Sequence, residues 1–463
     1  MRYQSIWISN NKTHNFKLMK TMKNKVSLRR MLWLLCLPLL LTACKDSMDE
    51  HYEVPDWVAD NAWEVLSSGE HGNYSIFLQG LEIAGYKQML EGKAILTIIA
   101  PDDDAFQTYL NKRGFTSISD MPVNEVSKLI GYHVLYYSYN KEKLVNFRPT
   151  GSTETEEEQN IKAGLYYKHR TRSSDAPTVE TTPTGASVMV YHLERYLPIF
   201  SYRYFQTKGI DAKNNYEAFY PNSTWTGDDG FNVSNASVKE YGIIANNGYI
   251  HAVDRVVEPL ETIYTELKNK EKYSTFLDLY DSFGVYVADD ELSKSYAKAY
   301  GVDTLYQYQH GGLPNIACEW PTSSYLNFTA LTALSYSIFA PSNTAINSFF
   351  DSFWKIGGYS SMQEVDALAL NYFLYQFIYG GSMLFPEELG DDELKNLAGS
   401  SLNINPAALN EKTMCVNGAL YGMDEIKEPS TFASVIGPLF QYKSARSFLY
   451  ALLGSSLFSS YVS

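Results

Sequence analysis

The 463-residue chain carries 38 Lys and Arg against 52 Asp and Glu, a formal net charge of −14, and 45% of its residues are hydrophobic. Beyond residue 43 no basic cluster offsets the acid, so the surface repels nucleic acid phosphates and nucleic acid is excluded as a partner. The length suits two or three domains.

Residues 1–43 hold eight of the basic residues and no Asp or Glu. An 11-residue apolar run, Met31 to Leu41, follows Arg29-Arg30. A bilayer span needs about 20 apolar residues, so the pattern predicts a signal peptide and not a membrane span. Met19 or Met22 would serve as a start for a shorter leader. Leu41-Thr42-Ala43-Cys44 resembles a bacterial lipobox. That resemblance implies cleavage before Cys44 and acylation of its thiol and new amine; each buried methylene then adds about 0.8 kcal/mol of anchoring. The alternative is an ordinary secreted protein with a chance cysteine. Lys45 is not the Asp that would favour inner-membrane retention, so the expected location is the outer membrane, with contact to the membrane only through lipid. The run Lys45-Asp46-Ser47-Met48-Asp49-Glu50 resembles the export signal of surface lipoproteins in some Gram-negative gut anaerobes, or is only a solvated tether. Residues 44–60 are read as that tether, at most roughly 50 Å when extended. Removing residues 1–43 takes the formal charge from −14 to about −22.

Next comes a helical pattern, Asn73-Tyr74-Ser75-Ile76-Phe77-Leu78, in which Ser caps and Phe-Leu begins an apolar stripe. Leu96–Ala100 reads as a short strand stopped by Pro101. Asp102 or Asp103 then suits a helix N-terminus, and Phe106 and Leu110 share one face of that helix. Tyr132-His133 lies mid-domain, inside an apolar pattern. An aromatic stretch from about 148 to 239 follows, opening with the acidic run Thr153–Asn160 and including Tyr166, Tyr167, Tyr202, Tyr204, Phe205, Tyr216, Tyr220 and Trp225. Asn247-Gly248, between the strand-like Tyr241–Asn246 and Tyr249–Val257, predicts a hairpin with a type I′ turn.

The pattern then returns. Lys272–Leu277 matches Asn73–Leu78, Tyr336–Ile346 matches Leu96–Phe106, and Asn417–Pro429 matches Asn247–Pro259. Asn, Gly, Asp, Glu and Pro fall at the same places in the last pair. Ordered blocks repeated in order imply two copies of one domain. Ser342 and Asn343 replace the carboxylates after Pro101, which favours capping over a metal site there. The second copy has Tyr375-Gln376 where Tyr-His is expected, and an extra segment from about 288 to 327. Cys318 and Cys415 are expected as separate thiols, with a disulfide as the alternative.

These blocks resemble the fasciclin domain family: an opening helix, a strand ending in Ala-Pro with a capped helix, a middle Tyr-His, and a closing Asn-Gly…Asp…Pro hairpin. The resemblance implies an α+β fold with two tandem fasciclin-like domains, residues 61–260 and 261–429, each a sheet wedge with helices on one side. Phe448-Leu449 lies 19 residues beyond Pro429, much as Phe276-Leu277 lies 17 beyond Pro259. Residues 430–463 are therefore expected to be the opening helices of a partial third domain. The competing reading is that they fold back and cap the second.

The family is mainly adhesive and interaction-bearing, without general catalytic activity. The residues agree: no Gly-rich phosphate loop, zinc-spaced Cys/His set or Gly-x-Ser-x-Gly nucleophile motif occurs, so no enzyme, cofactor or metal is expected. The family ties Tyr-His to partner binding, which would make Tyr132 and His133 interaction residues; packing is the alternative. Tyr202, Tyr204, Tyr220 and Trp225 would stack on sugar faces if exposed, or form the insertion's own small core. Two readings of function stay open. The first is a non-enzymatic surface lipoprotein binding an extracellular protein. The second is an accessory polysaccharide-binding lipoprotein beside a starch-utilisation-type outer-membrane transporter.

Overall fold

A computed structural model describes residues 60–145, 168–191, 194–318, 335–391, 393–402 and 404–455. The described residues form one compact unit. The expected signal peptide and tether with Cys44, the acidic run, Tyr166, Tyr167 and residues 456–463 lie outside the described residues. The fold is α+β.

Each repeat is organised by one central strand, fully buried in the first and buried but for Tyr336 in the second. In the first this is β1 (Leu96–Pro101), paired antiparallel with β2 (Val134–Tyr136) and parallel with β9 (Gly248–Val253). In the second it is β12 (Tyr336–Pro341), paired antiparallel with β13 (Ile378–Gly380) and parallel with β15 (Gly418–Met423). The registers coincide: Leu96 opposes Tyr136 and Gly248, and Tyr336 opposes Gly380 and Gly418. The repeated sequence blocks thus become a repeated strand order.

The residue after each Pro caps a helix. Ala105 N–H donates to Asp102 Oδ1 (2.9 Å) and Ala345 N–H to Ser342 Oγ (3.4 Å), at the starts of helices Asp103–Arg113 and Asn343–Ser352. The next residue caps a different helix. Asp103 accepts from Ile76 N–H (2.8 Å) and Asn343 from Thr275 N–H (2.9 Å), which ties the opening helices Ser75–Ile83 and Ser274–Asp281 to the helix after the strand.

The hairpins correct the turn expectation. Their two-residue loops are Asn246-Asn247 and Val416-Asn417, with Ala245 opposite Gly248 and Cys415 opposite Gly418. None of these four loop residues has positive φ, so the turn is not type I′. The asparagine works through its side chain. Asn247 accepts from Ala62 N–H (3.0 Å) and donates to Leu90 O (2.8 Å) and Gly92 O (3.1 Å). Asn417 accepts from Ile263 N–H (2.9 Å) and donates to Ile316 O (2.9 Å) and Cys318 O (3.2 Å). Each thus binds the first helix of its repeat to the chain preceding the central strand. The glycine answers a close approach: a Cβ at Gly248 would stand 1.9 Å from Leu96 O, and one at Gly418 the same distance from Tyr336 O.

The expected insertions are woven into the fold. Strands β3 (Lys168–Ser174), β6 (Glu194–Phe200), β7 (Asn232–Val233) and β8 (Ala236–Ala245) close the first sheet into a barrel, β1-β2-β3-β6-β7-β8-β9. The first repeat is thus not an open wedge with an appendage. The second repeat keeps an open sheet, β13-β12-β15-β14, with β14 spanning Leu409–Cys415. A third sheet joins the two insertions. Strands β4 (Thr178–Thr181) and β5 (Ser187–Val190) come from the first, β11 (Tyr306–His310) from the second and β10 (Gly284–Ala288) from the chain just before it, in the order β10-β11-β5-β4.

Residues 430–455 correct the expectation of opening helices with no sheet to cover. Phe432, Ile436, Phe440 and Leu449 are buried in the core of the second repeat. Phe432 stacks on Phe353 (5.2 Å) and Phe440 (5.1 Å), and Trp354 Nε1 donates to Phe440 O (3.1 Å). The segment folds back as a cap. Phe448, expected to begin a buried stripe, is 62% exposed, and its neighbour Leu449 turns inward instead.

Candidate functional site

A cavity of about 460 Å³ lies where the two repeats meet, beneath the sheet that joins them. Its base is an ion-pair network. Arg195, on β6, donates from Nε to Asp175 (3.0 Å), from Nη2 to Glu261 (3.0 Å) and from Nη1 to Leu260 O (3.0 Å). Lys128, on helix Val123–Tyr132, reaches Asp175 (2.6 Å) and Glu261 (3.2 Å). Burial alone would raise the Asp175 carboxyl, but Arg195 and Lys128 outweigh it and hold it below the ordinary carboxylate value. Glu261 sits between the repeats, so the network ties the first to the start of the second.

One wall is aromatic and anchored. Asp281 accepts from Tyr308 OH (2.9 Å) and Tyr264 OH (3.2 Å), and lies 3.1 Å from His310 Nε2. Tyr286 OH donates to Glu180 (2.9 Å); burial first, then that bond and charge, push its hydroxyl up to about 12. Burial and Asp281 likewise raise Tyr264 and Tyr308, so these hydroxyls remain donors at neutral pH. Gln307, on β11, also lines the cavity; it is 1% exposed, and its Nε2 has no hydrogen-bond partner.

The interaction residues read from sequence fall elsewhere. Tyr132, His133 and Tyr204 are wholly buried, so they present no ring to a partner. Tyr132 OH donates to Tyr196 O (2.9 Å). Trp225 is half-buried, in edge contact with Phe205 (5.6 Å) and beside Tyr216 (5.2 Å), with Nε1 donating to Asp228 (2.8 Å). Tyr220 is half-buried, 3.2 Å from Ser234 Oγ. Only Tyr202 of this set is exposed. The insertion's rings also do not form a core of their own. Phe205 meets Phe385 (5.0 Å) and Phe219 meets Tyr421 (5.8 Å), so they pack into the second repeat. Hydrophobic burial and not stacking on a ligand explains their number. The cavity residues Lys128, Asp175, Arg195, Glu261, Gln307 and Tyr308 belong to no motif and converge only through the fold.

His133, His169 and His251 are neutral packing groups. His133 Nδ1 lies 2.9 Å from Leu129 O while Nε2 accepts from Val257 N–H (3.0 Å). In the second repeat Gln376 donates to Tyr372 O (3.2 Å), the same four-residue back-bond. His251 Nδ1 accepts from Gly242 N–H (3.2 Å), which leaves Nε2–H for Tyr139 O (3.0 Å). Burial lowers His133, His169 and His251 to about 4 each. Cys318 and Cys415 are not joined to each other in a disulfide. Among the described residues no group of three or more His, Cys, Asp or Glu is placed to hold a metal ion, and no helix is long and apolar enough to cross a membrane.

Residues 72–198 match the fasciclin domain family. The first repeat is therefore fasciclin-like, and the shared register makes the second its tandem copy. The match reaches through β3 into β6, inside the stretch read from sequence as an insertion. Among solved structures, the FAS1 domain pair from the insect cell adhesion molecule fasciclin I is 12% identical, covering 79% of this chain and 96% of its own, with a TM-score of 0.24. That likeness is too distant to support a reading of function. No curated protein matches.

Proposed function

We propose that the chain is a non-enzymatic cell-surface lipoprotein that acts in adhesion or protein–protein interaction through its tandem fasciclin-like domains. The observation that carries this is the fasciclin match at residues 72–198, repeated in strand register by residues 336–423. Fasciclin domains commonly serve adhesion. The lipobox ending at Cys44 supplies the anchor, and the tether holds the domains off the outer membrane. Substituting Cys44→Ser in cells expressing the full chain tests the anchor. The protein should move from the membrane fraction to the periplasm or medium, and cell adhesion should fall with it. A variant that stays membrane-bound and adhesive would refute the reading.

A second reading is an accessory glycan-binding lipoprotein beside an outer-membrane transporter. The charge-balanced, tyrosine-walled cavity favours it. Neighbouring genes for such a transporter and for glycoside hydrolases would support it.

A further inference from the structure

We propose that the cavity at the repeat junction is a binding site for a neutral saccharide of one or two rings; this rests on the second reading above and gives it a location. Volume sets the scale: about 460 Å³ lies within the range of small-ligand sites, roughly 300–1,000 Å³.

Charge sets the class. The lining carries Lys128, Arg195 and Lys268 against Asp175, Glu180 and Glu261, so it is formally neutral. Four of these six already pair with one another through Arg195 and Lys128. A charged ligand seated on these four would have to break a pair and leave a charge uncompensated, which is costly in a partly buried site. A purely apolar ligand would desolvate the same groups without replacing their hydrogen bonds. A polyhydroxylated neutral ring suffers neither cost. Its hydroxyls both donate and accept, so they serve carboxylate oxygens and N–H donors alike.

Orientation is prepared in advance. Tyr264 and Tyr308 are fixed by their hydroxyls on Asp281 and lie edge to face, with centroids 5.6 Å apart. They add aromatic area to a polar site without needing to be ordered on binding. Gln307 Nε2 is a donor buried without a partner, a costly state that a ligand hydroxyl would relieve. Of the aromatic rings singled out from sequence, Tyr204 is buried in the core and Tyr220 and Trp225 pack against it; Tyr264 and Tyr308 line the cavity instead.

The test is calorimetric titration of the intact chain in detergent with glucose, galactose, xylose, N-acetylglucosamine, maltose, cellobiose and xylobiose, with galacturonate as the charged counterpart of galactose. At least one neutral sugar should bind with a Kd in the millimolar range or tighter. Galacturonate should bind more weakly than galactose. Gln307→Leu should weaken the neutral sugar about 3- to 10-fold by removing the unpartnered donor. Thr178→Trp, at an exposed position on β4, should block entry and abolish binding with an unchanged melting temperature; it keeps the test decisive if the buried Gln307 variant folds poorly. If a neutral sugar binds both variants as tightly as the parent, the glycan reading stands and the cavity is not its site. If no neutral sugar binds, both fall. If galacturonate binds more tightly than galactose, the charge argument is overturned.

Discussion

Truncating Phe440 to alanine removes the ring at the centre of the C-terminal cap. That ring is fully buried, stacked on Phe432 at 5.1 Å and beside Tyr372 at 5.4 Å. The backbone carbonyl that holds Trp354 Nε1 is retained, so the change isolates packing from hydrogen bonding. A buried Phe→Ala substitution costs about 3–5 kcal/mol, the spread reflecting how far the site collapses. Phe448→Ala, eight residues on and largely exposed, should cost no more than about 0.5 kcal/mol. Urea unfolding read by tryptophan fluorescence separates the two. With a slope of about 1–3 kcal/mol/M, Phe440→Ala should lower the midpoint of the second repeat by about 1 M or more, and Phe448→Ala should leave it in place. Removing residues 430–463 altogether should lower it further, since Trp354 Nε1 then loses its acceptor. Equal, small effects of the two point substitutions would mean that 430–455 is an appendage, and the cap would be refuted.

Acid should destabilise the protein through its buried histidines. Unfolded histidine titrates near 6.5, whereas His133, His169 and His251 stay neutral to about 4. The unfolded chain therefore binds protons first as pH falls. The stabilisation is complete above 6.5 and is lost between 6.5 and 4, by about 3 kcal/mol per histidine. In melting curves taken across that window, His251→Gln should flatten the slope by about a third; parallel curves for parent and variant would contradict the assignment. Asn417→Ala should cost about 2–4 kcal/mol, because it strands Ile263 N–H and the carbonyls of Ile316 and Cys318. A melting temperature like that of the parent would show that water replaces the side chain there.

The repeat was legible because it is written locally. Ala-Pro followed by a capping residue, and an Asn-Gly closing a hairpin, are short signals that survive in both copies. Even so, the physics behind Asn247 and Asn417 was misread. Propensity points to a positive-φ turn, while the structure uses the amide to reach Ala62 and Ile263, which are far away in sequence. Tyr204 and Trp225 illustrate a second limit. Composition shows that rings are abundant but not which side of a surface they occupy; Phe385 of the second repeat covers Tyr204, and Phe205 and Tyr216 flank Trp225. The cavity had no sequence signal. Arg195, Lys128 and Glu261 are ordinary charges until three separate elements bring them together. The C-terminal segment shows the same limit: the spacing of Phe448 matched an earlier helix, but burial selected Leu449 instead.

The sheet shared by the two insertions also constrains the order of assembly. Strand β5 joins β11 through Tyr306 opposite Val190, with Tyr191 N–H donating to Tyr306 O at 3.0 Å. More than a hundred residues of chain separate these partners. As the chain emerges N-terminus first, the β4–β5 hairpin arrives with its edge unpaired and must wait for the second repeat to deliver β10 and β11. An arrest between the repeats would expose that edge as a template for aggregation. Cutting the chain between the repeats would leave each half with a hairpin lacking its mate, so the two repeats stand or fall as one unit.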